Sequence, residues 1–208
     1  MLYARLQTVR GMPGPETAGA VERELMEIVA RHPGFAGLCL MASVEDTEAG
    51  ALLTLWRTRE DARLAADRTA RARPGPRPVT LESDRIYEVI GRFEGPDAGG
   101  PAAAAVLLFF DGPYGREWLE SALFAQRERI IPVLRATPGV VRGFALWNAE
   151  DGVCAVVNMT VSLEALARAE RAVNSTELLP GEDPALLTGP DRAVVHRVSG
   201  YVGAPLPP

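Results

Sequence analysis

Lysine is absent from this chain of 208 residues, so all 22 basic residues are arginines, set against 27 acidic ones. The formal net charge of −5, with a pI near 5.2, lacks the basic excess that nucleic-acid binders usually show. Histidine and cysteine occur only twice each. His32 and His196 lie in different halves, neither has a second histidine four residues on, and there is no Cys-x-x-Cys. No metal-ligand spacing is therefore present. Cys39 and Cys154 both sit inside apolar runs and read as small buried hydrophobes rather than as a disulfide.

Nucleophile-elbow and phosphate-loop patterns are also missing. Gly112-Pro113-Tyr114-Gly115 reads as a turn before a helix. No window approaches the ~20 apolar residues that cross a bilayer, and the first residues lack the order of a signal peptide. Together these absences predict a soluble, cytoplasmic protein without metal, cofactor, nucleic-acid or membrane partner. The abundance of alanine, glycine, proline and arginine points to a high-GC, actinobacterial genome.

What the chain does have is a repeat. Hydrophobic residues make up 47% of it, ample for a core. His32-Pro33-Gly34-Phe35-Ala36-Gly37 follows one amphipathic stretch, and Thr137-Pro138-Gly139-Val140 follows another, Gly139 standing 105 positions after Gly34. After each Pro-Gly comes an apolar run, a polar turn, a second apolar run and a helix start.

In the first half, Leu2–Val9 reads as a strand, and a helix runs from Pro15 to before Pro33, with Val21, Leu25, Ile28 and Val29 on one face. Phe35–Val44 and Ala51–Arg57 form a hairpin. Thr58 caps a helix reaching about Arg71, with Ala62, Leu64 and Ala65 for packing. Ala72–Pro78 breaks that helix, Val79-Thr80-Leu81 is a short extended piece, and Arg85–Arg92 closes the half.

The second half repeats this order. Ala102–Phe110 is a strand, and Arg116–Arg135 a helix kinked by Pro132. Val140–Trp147 and Val153–Met159 form a hairpin, Ser162 caps a helix to Val173, and Ala193–Val202 is the last strand. The expectation is an α+β chain of two tandem ferredoxin-like βαββαβ repeats, at 1–94 and 102–203, with a linker at 95–101 and a frayed tail at 204–208. Each sheet leaves a partly apolar face for the other half to cover, giving an intrachain pseudo-dimeric α+β barrel, as a monomer or in a further homodimer.

The junction His32-Pro33-Gly34-Phe35-Ala36-Gly37 and the block Leu52-Leu53-Thr54-Leu55-Trp56-Arg57-Thr58-Arg59-Glu60-Asp61-Ala62 resemble the antibiotic biosynthesis monooxygenase-like (ABM) domains of the dimeric α+β barrel superfamily. The second half matches in Thr137-Pro138-Gly139-Val140 and in Val156–Ala165, where Asn158 replaces the tryptophan. The resemblance implies a cofactor-independent monooxygenase acting on an aromatic or polyketide-type small molecule. A non-catalytic small-molecule-binding or assembly protein is the alternative on the same fold. Against the haem-degrading branch, Ala4 and Ala65 stand near the expected asparagine and tryptophan, and no histidine lies between His32 and His196.

His196 has the pKa range of a base for a phenolic substrate, and Asn158, polar within an apolar strand, is placed to orient a substrate oxygen. Trp56, Tyr87, Trp118 and Trp147 are the aromatic candidates for substrate contact, with Tyr3 and Tyr201 beside them. Core packing is the competing role of each tryptophan. His32 reads as a helix C-terminal cap in cationic form. The arginines Arg63, Arg68, Arg71, Arg73 and Arg77 read as a solvated helix face.

Overall fold

The computed structural model describes residues 1–11, 27–71 and 79–203. The helix expected from Pro15 falls largely outside them, with residues 27–29 helical at its end. The arginines at 73 and 77 and the tail from 204 lie outside as well.

The elements run β1 (Tyr3–Arg10), β2 (Phe35–Ser43), β3 (Ala49–Trp56), α1 (Arg59–Arg71), β4 (Thr80–Glu94), β5 (Ala104–Phe110) and α2 (Arg116–Ala125). A π-helical turn (Gln126–Ile130) leads into α3 (Ile131–Ala136), followed by β6 (Val140–Asn148), β7 (Val153–Thr160), α4 (Leu163–Asn174) and β8 (Arg192–Gly203).

The chain divides into two compact units, Met1–Val89 with Val195–Pro208, and Ile90–Val194. This differs from the division at 94 and 102 read along the chain. The piece from Thr80 and the segment from Arg85 are one continuous strand, β4, whose last residues belong to the second unit. Most of β8 pairs with β2 and so belongs to the first.

In the first unit the antiparallel order is β4–β1–β3–β2–β8. Tyr3 stands opposite both Trp56 and Glu88, and Arg5 opposite both Thr54 and Ile86, so these residues share one face. On that face Trp56, Ala62 and Ala65 form a core with Val29, Phe35 and Ile86, covered by α1. Leu64 and Ile28, both expected to pack, are exposed instead, each turned to the outer side of its helical segment. The opposite face carries Ala4, Leu6, Leu53 and Leu55, all buried.

Thr58 caps α1 as expected: its Oγ1 accepts from the Asp61 amide at 3.0 Å and donates to the Asp61 carboxylate at 2.5 Å. Gly34 precedes this cap with φ +79°, and a Cβ there would overlap the Asp61 carboxyl. The glycine lets the strand start pass directly under the helix N-terminus.

In the second unit β7 lies between β5 and β6. The end of β4 borders β6, and the start of β8 borders β5. Ser162 Oγ accepts from the Ala165 amide at 3.1 Å and caps α4. Phe93, Leu134, Val140 and Ala169 form a core with Ile130, Ile131 and Val173, so α3 and α4 pack on the face that carries Phe93.

The long helix expected over 116–135 is interrupted one turn before the proline. Pro132 has no amide hydrogen to continue the ladder, and the register changes in the π turn ahead of it.

Candidate functional site

The helix-covered face of the second unit can be read row by row from its strand register. Phe93 lies beside Gly143, which stands opposite Asn158, itself opposite Val106. In the next row Gly91 lies beside Ala145, opposite Val156 and then Leu108. In the third, Trp147 stands opposite Cys154, itself opposite Phe110. Val106, Leu108, Val156 and Asn158 are partly exposed, whereas their neighbours Leu107, Val157 and Met159 on the other face are fully buried. Solvent thus reaches the middle of an apolar sheet on the side that its helices cover. Small residues and two polar side chains meet on this partly exposed face.

Asn158 is the first of those side chains. Its Oδ1 is buried and has no hydrogen-bond partner. A Cβ on Gly143 would stand 2.5 Å from that oxygen and would overlap the Phe93 ring, so Gly143 is what lets both side chains lean across the strand. With Oδ1 turned inward, Nδ2 is the amide atom available to a ligand.

Gln126 is the second polar side chain. It reaches down from the start of the π turn to Gly91 and Ala145. On sequence it is one residue of the helix expected over 116–135. Its polarity at that position was the signal.

An aromatic wall stands at one end. Tyr114 stacks on Trp118 at 4.1 Å between ring centroids, Trp118 lies 6.3 Å from Trp147 at 25°, and Phe110 is 5.4 Å from Trp118. Two of the sequence candidates, Trp118 and Trp147, are thus brought together in the unit that holds Asn158. Tyr114 Oη donates to Asp191 at 3.2 Å; burial first, then that carboxylate, raises its pKa.

Cys154 stands on this face, and burial pushes its thiol up to about 12. It stays a neutral thiol at physiological pH and is no nucleophile. Native protein at pH 8 should therefore react with a thiol-specific disulfide reagent at least 100-fold more slowly than unfolded protein. Labelling of Cys154 at the unfolded rate would contradict that burial.

The other candidates lie in the first unit. Trp56 is fully buried, donates from Nε1 to Thr54 Oγ1 at 2.9 Å, and meets His32 and Phe35 edge-on. It lies on the face of the first unit that α1 covers. Beside it Arg5 holds Asp84 through two bonds, of 2.7 and 2.5 Å. Tyr87 and His196 are buried, and their strand partners Ala4 and Ser43 put both on the face away from α1, as Cys39 does for Tyr201.

His32 departs from the cationic cap expected of it. Burial and the neighbouring Arg68, 3.2 Å from Nε2, lower its pKa, opposed only by Asp61, so the neutral ring is favoured.

Among the described residues no group of three or more His, Cys, Asp or Glu is placed to hold a metal, and no helix is long and apolar enough to cross a membrane.

No protein-family profile matches the chain, and no curated protein matches its sequence. Solved structures do match in shape. An anthrone oxidase-like protein superposes with a TM-score of 0.58 at 16% identity, over 97% of this chain and 93% of that one. A proposed monooxygenase of Fusobacterium nucleatum gives a TM-score of 0.62 at 9% identity, over 97% and 94%. A mutant chlorite dismutase from Candidatus Nitrospira defluvii, in complex with cyanide, gives 0.62 at 14%, over 96% and 91%. The chain shares the fold of these structures. At these identities the likeness concerns fold alone.

Proposed function

We propose that the chain is a cofactor-independent monooxygenase of ABM type, acting on an aromatic, polyketide-like small molecule in the cleft of its second unit. The observation that carries this reading is the Asn158 amide, set with its oxygen unpartnered in an apolar, solvent-reached face that also carries Trp147 two rows away. The names of two structural neighbours, anthrone oxidase-like and proposed monooxygenase, support the same class. We further propose that the units are two copies of one βαββαβ element. In the first, Trp56 and the Arg5–Asp84 pair fill the space that the second keeps open.

The chemistry asked of this site is modest. An anthrone-type substrate loses a proton to give a carbanion whose charge rests largely on its ring oxygen, and Asn158 Nδ2 donates to that oxygen. The carbanion passes an electron to O2, and recombination forms a carbon–oxygen bond. Loss of water from the peroxide leaves a new carbonyl. One O2 is consumed, one of its oxygen atoms enters the product and the other leaves as water. The proton passes to solvent water, because His196 is buried in the first unit on the face away from α1 and is not part of this cleft.

Oxygen uptake with anthrone and naphthol substrates, without added flavin, metal or haem, tests the reading. Asn158→Ala should lower turnover about 100-fold, the loss typical of one oxyanion donor. No uptake by the unaltered protein, or full turnover by Asn158→Ala, sinks the assignment and leaves the small-molecule-binding alternative.

A further inference from the structure

Gln126 lies across the floor of the same cleft. A Cβ built on Gly91 would stand 3.0 Å from its Oε1 and 3.3 Å from the Ala145 Cβ, so the amide rests over the row next to that of Asn158. Gln126 opens the π-helical turn, the point where the helix changes register, and such turns often mark functional sites. Gly143 and Ala145, the β6 residues beneath the two amides, are two positions apart, a separation of about 7 Å along a strand. Between and around them the floor carries no charge: Gly91, Gly143, Ala145, Val106 and Val156.

We infer that this cleft selects uncharged fused-ring ligands bearing two separated oxygen substituents, one held by Asn158 and the other by Gln126. The inference rests on the placement of the site in the second unit, and it concerns recognition rather than turnover. Asn158 donates through Nδ2 and Gln126 carries both a donor and an acceptor, so the pair suits hydroxyl or keto oxygens. The partly exposed Trp147 ring supplies stacking area for a flat skeleton. Two oxygens on one edge of a bicycle would be too close together to reach both amides, whereas oxygens on opposite rings span them.

Calorimetric titration without oxygen, using 1-naphthol, 1,5-dihydroxynaphthalene and 1,8-dihydroxynaphthalene, reads this directly. The 1,5 isomer should bind about tenfold more tightly than 1-naphthol, the worth of one additional hydrogen bond, and the 1,8 isomer little better than 1-naphthol. Gln126→Leu should erase the 1,5 advantage and leave 1-naphthol affinity unchanged. Gly91→Ala, which displaces the amide without removing it, should reduce the same advantage. Equal binding of all three by the unaltered protein, an equal loss for every ligand in Gln126→Leu, or no binding at all would overturn the inference. If the binding pattern holds while oxygen uptake fails, the enzymatic reading falls and this one stands. Uptake without the pattern gives the reverse.

Discussion

Trp56→Ala should cost about 4 kcal/mol of folding stability, a fall in Tm of roughly 12 °C at this chain length. The indole is fully buried, packs against His32 and Phe35, and satisfies its own N–H through Thr54. Its removal leaves a cavity under α1 that the surrounding strands cannot close. Asn158→Ala, in the other unit, should behave in the opposite way. It deletes a desolvated oxygen that has no partner, so stability should stay within about 0.5 kcal/mol or rise slightly. Oxygen uptake should collapse in Asn158→Ala and survive in Trp56→Ala below its melting range. Denaturant titration of both variants, beside the turnover assay, separates the roles. A loss of under 1 kcal/mol in Trp56→Ala would show that the first unit is not filled by this side chain.

The contrast between these positions was half legible in the sequence. The two Pro-Gly junctions, the hairpins and the caps Thr58 and Ser162 could be read locally, because a cap or a turn depends on residues three or four apart. Asn158 stood out as a polar residue in an apolar run. Gln126 did not, because helical periodicity counts residues at 3.6 per turn and carries no sign of a π turn. Nor does periodicity reveal that Phe93 leans over Gly143, since that approach joins strands 50 residues apart in the chain. The division of β4 and β8 between units escaped for a related reason. A strand's pattern gives its faces but not its neighbours, and only the pairing of β2 with residues 196–203 settles where β8 belongs.

Neighbour choice also decides how the cleft of the second unit is held, since the loop from Ser175 to Asp191 returns to the π turn that carries Gln126. Glu182→Ala should cost roughly 3 kcal/mol, as removal of one partner from a buried ion pair does, and lower Tm by roughly 10 °C. Both Glu182 oxygens accept from Arg129 Nε, at 2.9 and 2.8 Å, and one also accepts from the Leu179 amide at 2.6 Å. The side chains are 10% exposed for Arg129 and 0% for Glu182, so truncating the acid strands a guanidinium away from water. Desolvation pushes the Glu182 carboxyl up, but Arg129 and the Leu179 amide outweigh it and hold its pKa below the ordinary value of 4.5. A depressed carboxylate stabilises the fold fully above its unfolded pKa, and that contribution fades as pH falls below 4.5 toward the folded value. Thermal melts from pH 7 to pH 3 should therefore show a steeper acid loss in the unaltered protein than in Glu182→Gln, which starts lower and changes less. Because Arg129 lies within the π turn, Glu182→Gln should also loosen Gln126 and weaken the preference for 1,5-dihydroxynaphthalene. Parallel melting curves with unchanged ligand preference would show that the loop merely rests on the turn without holding it.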